Sequence, residues 1–219
     1  EAGTALTTGD ANVAMGYQAL ATEDANGTNT AIGYQSLKTL NAGADANNTA
    51  VGYIAGVFIT TGTNNTLIGS LAGDALTTNG LNVAIGYGSL STEDTGSRNV
   101  AIGVSALSSQ NSDTTNYNVA VGYTALDANT TANNNTAIGH TALGANTTGT
   151  GNTAVGQQAG LSITTGDDNT IVGQAAGDAL TTGEYNVAIG QGALSAATTA
   201  SKNTAVGRYS LLSSTSGVD

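Results

Sequence analysis

The sequence predicts an all-β fold, a parallel β-solenoid of about twelve coils, each of about 17 residues with two short strands. Three observations predict it. An asparagine recurs at Asn12, Asn29, Asn48, Asn65, Asn82, Asn99, Asn118, Asn135, Asn152, Asn169, Asn186 and Asn203, spaced by 17 residues except for two steps of 19. A glycine stands four residues after each one, from Gly16 to Gly207. Between them the first position is always Thr or Val and the third always Ile, Val or Met. A fixed period of this length is the mark of a stacked repeat, and residues 1–219 read as a single tandem-repeat domain.

Each part of the coil follows from its residues. The first strand covers the Asn-to-Gly motif, where alternate side chains share a face. That puts Thr/Val and Ile/Val on one side. On the other side stand the Gly and the middle residue, Ala in ten coils, with Leu67 and Ile171 as exceptions. The second strand is expected in the Ala-Leu or Ile-Thr-Thr region, with Gly, Asn and Asp at the turns. Helices are excluded because 17 residues rich in Gly, Thr and Asn cannot hold an amphipathic helical pair.

The core is expected to be thin and lined by Ala, Val, Ile and Leu, because the chain has no Trp and only 4% aromatic residues. Its volume is conserved by compensation. Where the eighth position after Asn is Gly rather than Leu (Gly56, Gly73, Gly160, Gly177), the eleventh is aliphatic: Ile59, Leu76, Ile163 and Leu180. A packed interior of constant cross-section requires this. Residues 48–78 also match 152–182 almost throughout, as block duplication would produce.

The twelve asparagines are expected to form a structural ladder, their amides hydrogen-bonding from coil to coil. The flat Ala-Gly face can receive either the coil's own second strand or a second subunit. A thin core favours association, so the partner first expected is the chain itself, as a homo-oligomer or as a filament of chains stacked end to end. The repeat also runs to both ends without a polar cap, which suggests an excerpt of a longer chain.

Charge and composition remove several functions. Fifteen acidic and four basic residues give a net charge of −11, which argues against nucleic acid, whose phosphates need clustered Lys and Arg. No apolar run is long enough to insert in a membrane. Cysteine is absent and His140 is the only histidine, so neither a thiolate site nor a His-based metal or catalytic cluster can form within one chain. No enzyme activity, cofactor or resident metal is expected. The acidic pairs Glu23 with Asp24, Glu93 with Asp94, and Asp167 with Asp168 read as solvated turn acids, able at most to bind Ca²⁺ weakly.

The candidate contacts lie in the fifth column after the motif Asn. Tyr17, Tyr34, Tyr53, Tyr87 and Tyr123 recur there at coil spacing, suited to a ligand or to a subunit seam. Thr-Thr pairs at 60–61, 77–78, 164–165 and 181–182 raise ice binding as a rival, with Glu93 and Gln110 breaking the row.

The segment Asn-Thr-Ala-Ile-Gly-Tyr-Gln-Ser-Leu at residues 29–37, with its eleven relatives, resembles the YadA-like head repeats of trimeric autotransporter adhesins. It also resembles the repeat arrays of bacteriophage tail fibres and bacterial surface proteins. The resemblance implies a left-handed parallel β-roll, assembled as a homotrimer. Its implied location is extracellular, on a bacterial surface or virion, and its implied role is attachment to a cell-surface glycan, protein receptor or matrix.

Overall fold

The computed structural model describes residues 1–9, 11–23, 27–93, 95–112 and 116–213. The chain divides into two compact units, Glu1–Asn116 and Tyr117–Asp219. The first holds β1 (Val13–Met15), β2 (Thr30–Ile32), β3 (Thr49–Val51), β4 (Thr66–Ile68), β5 (Val83–Ile85) and β6 (Val100–Ile102). The second holds β7 (Val119–Val121), β8 (Thr136–Ile138), β9 (Thr153–Val155), β10 (Thr170–Val172), β11 (Val187–Ile189) and β12 (Thr204–Val206). Within each unit every strand pairs in parallel with the next, and motif residues face their counterparts: Ala31 opposes Ala50, and Ala137 opposes Ala154. Each unit is a β-solenoid.

The motif glycine ends each strand for a steric reason. Its φ lies between +120° and +148°, where a side chain is strained. A Cβ on Gly86 would also lie against the carbonyl of Gly103, and one on Gly156 against that of Gly173. Coil-to-coil backbone contact therefore forbids a side chain at this position.

One strand forms per coil among the described residues, not two. The expected second strand is a run of turns. Its sixth and eighth residues are left-handed, with φ near +50° to +60° at Gln18 and Leu20, Gln35 and Leu37, Thr141 and Leu143. A left-handed L-residue costs about 1–2 kcal/mol. What holds it is the stack: Leu37 N donates to Ala55 O at 3.1 Å, Leu143 N to Ala159 O at 3.0 Å, and Thr60 N to Thr77 O at 2.8 Å.

The faces also differ from expectation. The middle Ala of the strand points inward and is fully buried in coil after coil, as at Ala31, Ala84, Ala120 and Ala188. The Thr/Val and Ile/Val positions point outward, half-buried or exposed. Val and Ile at these outer strand positions therefore do not line the core. The interior is so narrow that it takes Ala from the strand and Leu from the turn, as at Leu20, Leu37, Leu90, Leu107, Leu126 and Leu143. The flat Ala face receives the coil's own turn leucine, leaving no room there for a second subunit.

The two large exceptions fit that interior. Leu67 lies over Gly56 and Gly73, with its methyl carbons 2.7 Å and 2.8 Å from where their Cβ atoms would sit, and Ile171 lies over Gly177 at 3.0 Å. The compensating Ile59, Leu76, Ile163 and Leu180 are all fully buried.

Candidate functional site

The motif asparagines form a continuous hydrogen-bonded column in each unit. Each Oδ1 accepts the backbone N–H of the next Asn: Asn12 from Asn29 at 3.0 Å, Asn29 from Asn48 at 3.1 Å, Asn48 from Asn65 at 2.9 Å, Asn65 from Asn82 at 3.1 Å and Asn82 from Asn99 at 3.0 Å. The second unit repeats this from Asn118 through Asn135, Asn152, Asn169 and Asn186 to Asn203, at 2.9–3.0 Å. The Nδ2 closes its own coil in the middle of each unit, whereas Asn29 and Asn203 donate back to Gly27 O and Ser201 O. Asn48 donates to Gly62 O at 2.8 Å and Asn152 to Gly166 O at 2.7 Å. One side chain thus satisfies two buried backbone groups, whose orphaning would cost about 1–3 kcal/mol each.

The fifth column points outward. Tyr17, Tyr34 and Tyr53 stack successively with centroids 5.3 Å apart and planes within 17°. In the second unit Tyr123 stacks on His140 at 5.4 Å. Gln174 then donates to Gln157, Gln191 to Gln174, and the Arg208 guanidinium to Gln191, at 3.4, 3.1 and 3.0 Å. Stacking changes what the tyrosines offer. The faces of Tyr34 are covered by its neighbours, so only ring edges and hydroxyls meet solvent. Tyr87, flanked in its column by Ser70 and Val104, stacks on no ring among the described residues.

The acidic pairs are not uniformly solvated. Glu23 and Glu93 are fully buried, and the Glu93 Oε1 accepts Gly96 N at 2.6 Å and Ser112 N at 3.3 Å. They occupy the eleventh position, which faces inward whatever its chemistry, as Gln110, Asn129 and Asn146 also do. The turn-acid reading is thereby corrected for both; Asp24 and Asp94 lie outside the described residues. Asp167 conforms better, its carboxylate accepting Thr150 N at 2.6 Å in a half-buried turn. Three aspartates that the sequence left unremarked, Asp74, Asp127 and Asp178, share the ninth position. Partial burial pushes their carboxyls above the usual range, against backbone hydrogen bonds that lower them.

Among the described residues no group of three or more His, Asp or Glu could hold a metal, and no pocket opens. Among the described residues no helix is long and apolar enough to cross a membrane.

Two outward features extend the sequence reading. The strand faces form an aliphatic strip, with Ile85 and Ile102 half-buried in the first unit and Ile138 and Ile189 exposed in the second. Aligning coils by position also adds Thr130–Thr131, Thr147–Thr148 and Thr198–Thr199 to the threonine pairs. Five consecutive coils of the second unit then carry one. The hydroxyls of Thr130, Thr147, Thr164 and Thr181 donate to the carbonyl of the next coil's threonine at 2.9–3.2 Å. Thr131, Thr148, Thr165, Thr182 and Thr199 are exposed.

No family model matches the chain, and no curated protein or solved structure matches it.

Proposed function

We propose that the chain is a non-enzymatic module of an extracellular fibre or adhesin, wound left-handed and assembled as a homotrimer that attaches to a cell surface or matrix. The observation that carries this is the outward aliphatic strip. Six strands per unit present Thr/Val and Ile/Val side by side, in register, on a chain whose own turns cover only the opposite face. Monomers seldom leave a contiguous apolar patch of that extent open, and a second copy presents the same repeat to match it. The resemblance to YadA-like heads and tail-fibre repeats supports three copies and the attachment role.

Light scattering on the purified chain tests the assembly. The expected mass is three chains, falling to one in an Ile85→Glu/Ile102→Glu variant that retains its β-rich circular dichroism. A monomeric wild type would sink the reading, and open-ended growth would replace it with an end-to-end filament. A glycan array then reads the attachment role directly.

A second reading, ice binding, gains from the five-coil threonine row, which is regular, uncharged and fixed in part by hydrogen bonds. Thermal hysteresis that disappears in Thr148→Lys/Thr165→Lys is its expected signature.

A further inference from the structure

We infer that Ser70 marks an open rung in the aromatic column of the first unit, and that this rung takes the pyranose ring of a neutral glycan. The inference rests on the attachment reading and names the class of ligand and the place it binds.

The column sets a ring-by-ring spacing: Tyr17, Tyr34 and Tyr53 stack at 5.3 Å per coil. The next coil puts Ser70 in that position, and the coil after it Tyr87. The register is continuous there, since Ile68 pairs with Val51 on one side and Ile85 on the other, and Leu71 N donates to Tyr53 O at 2.9 Å. Tyr53 and Tyr87 are thus two coils apart, roughly 10 Å at the usual strand spacing. A ring halfway between them would lie about 5 Å from each, within the range at which rings pack. Tyr53 is already stacked on its other side by Tyr34, and Tyr87 is 57% exposed with no ring against it.

The chemistry of the gap selects the ring. Two aromatic faces suit the C–H faces of a pyranose, and the rim offers neutral hydroxyls from Ser70, Tyr53 and Tyr87 to the ring's equatorial hydroxyls. The column in this unit carries no charge, which gives an acidic sugar nothing to pair with. A single ring on an open ridge binds weakly, in the range of about 1 mM. Three copies raise the effective affinity of a polymer without any new contact.

Titration with methyl pyranosides (gluco, galacto and manno), followed by the ring NMR signals of Tyr53 and Tyr87, tests this. At least one is expected to shift both rings saturably. Ser70→Tyr fills the rung with the residue its column uses elsewhere, so it should fold normally and bind at least tenfold more weakly. Tyr87→Ala should lose binding to a similar extent. Val104→Tyr extends the column without filling the gap and should bind as the wild type does. Undiminished binding by Ser70→Tyr, or no saturable shift at tens of millimolar sugar, overturns the rung. Sugar binding that persists in Ser70→Tyr and moves other residues leaves the attachment reading standing without it.

Discussion

The two units are built on one coil and present different surfaces. In Glu1–Asn116 the outward fifth column is aromatic and the eleventh position carries acids, Gln110 and aliphatics. In Tyr117–Asp219 the same outward column passes from Tyr123 and His140 to a run of glutamines ending at Arg208, and the turns present five threonine pairs. What does not vary is the pair of groups that bind the coil above or below through the backbone, the motif Asn and the motif Gly; the inward Ala gives way only at Leu67 and Ile171. Side chains are held constant where a coil-to-coil contact leaves no alternative, and change freely where only solvent faces them. Function in such a chain is written in the free columns.

The largest expected effect breaks both units by the same route. Gly86→Ala in the first and Gly173→Ala in the second each place a methyl against the next coil's backbone at a φ of +133°. Neither the carbonyl it meets nor the hydrogen bond beside it can yield without opening the stack. A loss of roughly 3–5 kcal/mol is expected in either unit, read as a lowered midpoint in chemical denaturation. A loss in one unit alone would show that the shared frame is not equally tight.

A smaller effect separates the units' interiors. Leu67→Ala empties the space over Gly56 and Gly73 and should cost about 2–4 kcal/mol, and Ile171→Ala should do the same over Gly177. The loss is recoverable, because ten coils combine an inward Ala with a large side chain elsewhere. Gly73→Leu added to Leu67→Ala should restore at least half of the lost stability, while Gly73→Leu alone should destabilise by overpacking. Additive effects in that double-mutant cycle would mean that the two positions do not share one volume.

These residues also show what was legible in the chain. The Asn and Gly spacing placed all twelve strands, because a residue demanded by a backbone contact leaves no choice in sequence. The Gly-for-Leu exchange disclosed a conserved interior for the same reason. The direction of the strand faces was not legible. Burial of Val and Ile is the default expectation, and only the small diameter of the coil reverses it. The turn at Leu20 and Leu37 was hidden too, since leucine gives no signal for a left-handed backbone that the stack imposes. Glu93 reads as a surface acid in sequence, yet the Gly96 and Ser112 amides hold it inside. In the fifth column the tyrosines were visible, but not that stacking covers their faces and leaves Ser70 as a gap.

The smallest expected effect is a pH dependence that the units share unequally. Burial raises the carboxyl pKa of Asp74 in the first unit, and of Asp127 and Asp178 in the second. A raised folded pKa means that the native state holds protons the unfolded chain has released. The stability these groups contribute is therefore greatest at low pH and falls as pH rises from the ordinary carboxylate range through the folded value. Relief of a net charge of −11 acts in the same direction. Thermal midpoints are thus expected to rise modestly as pH is lowered from 7 towards 4, opposite to the usual acid destabilisation. Asp127→Asn/Asp178→Asn should flatten that slope more than Asp74→Asn does. A midpoint that falls with acid in the wild type would show that these three buried carboxyls do not set the pH dependence of stability.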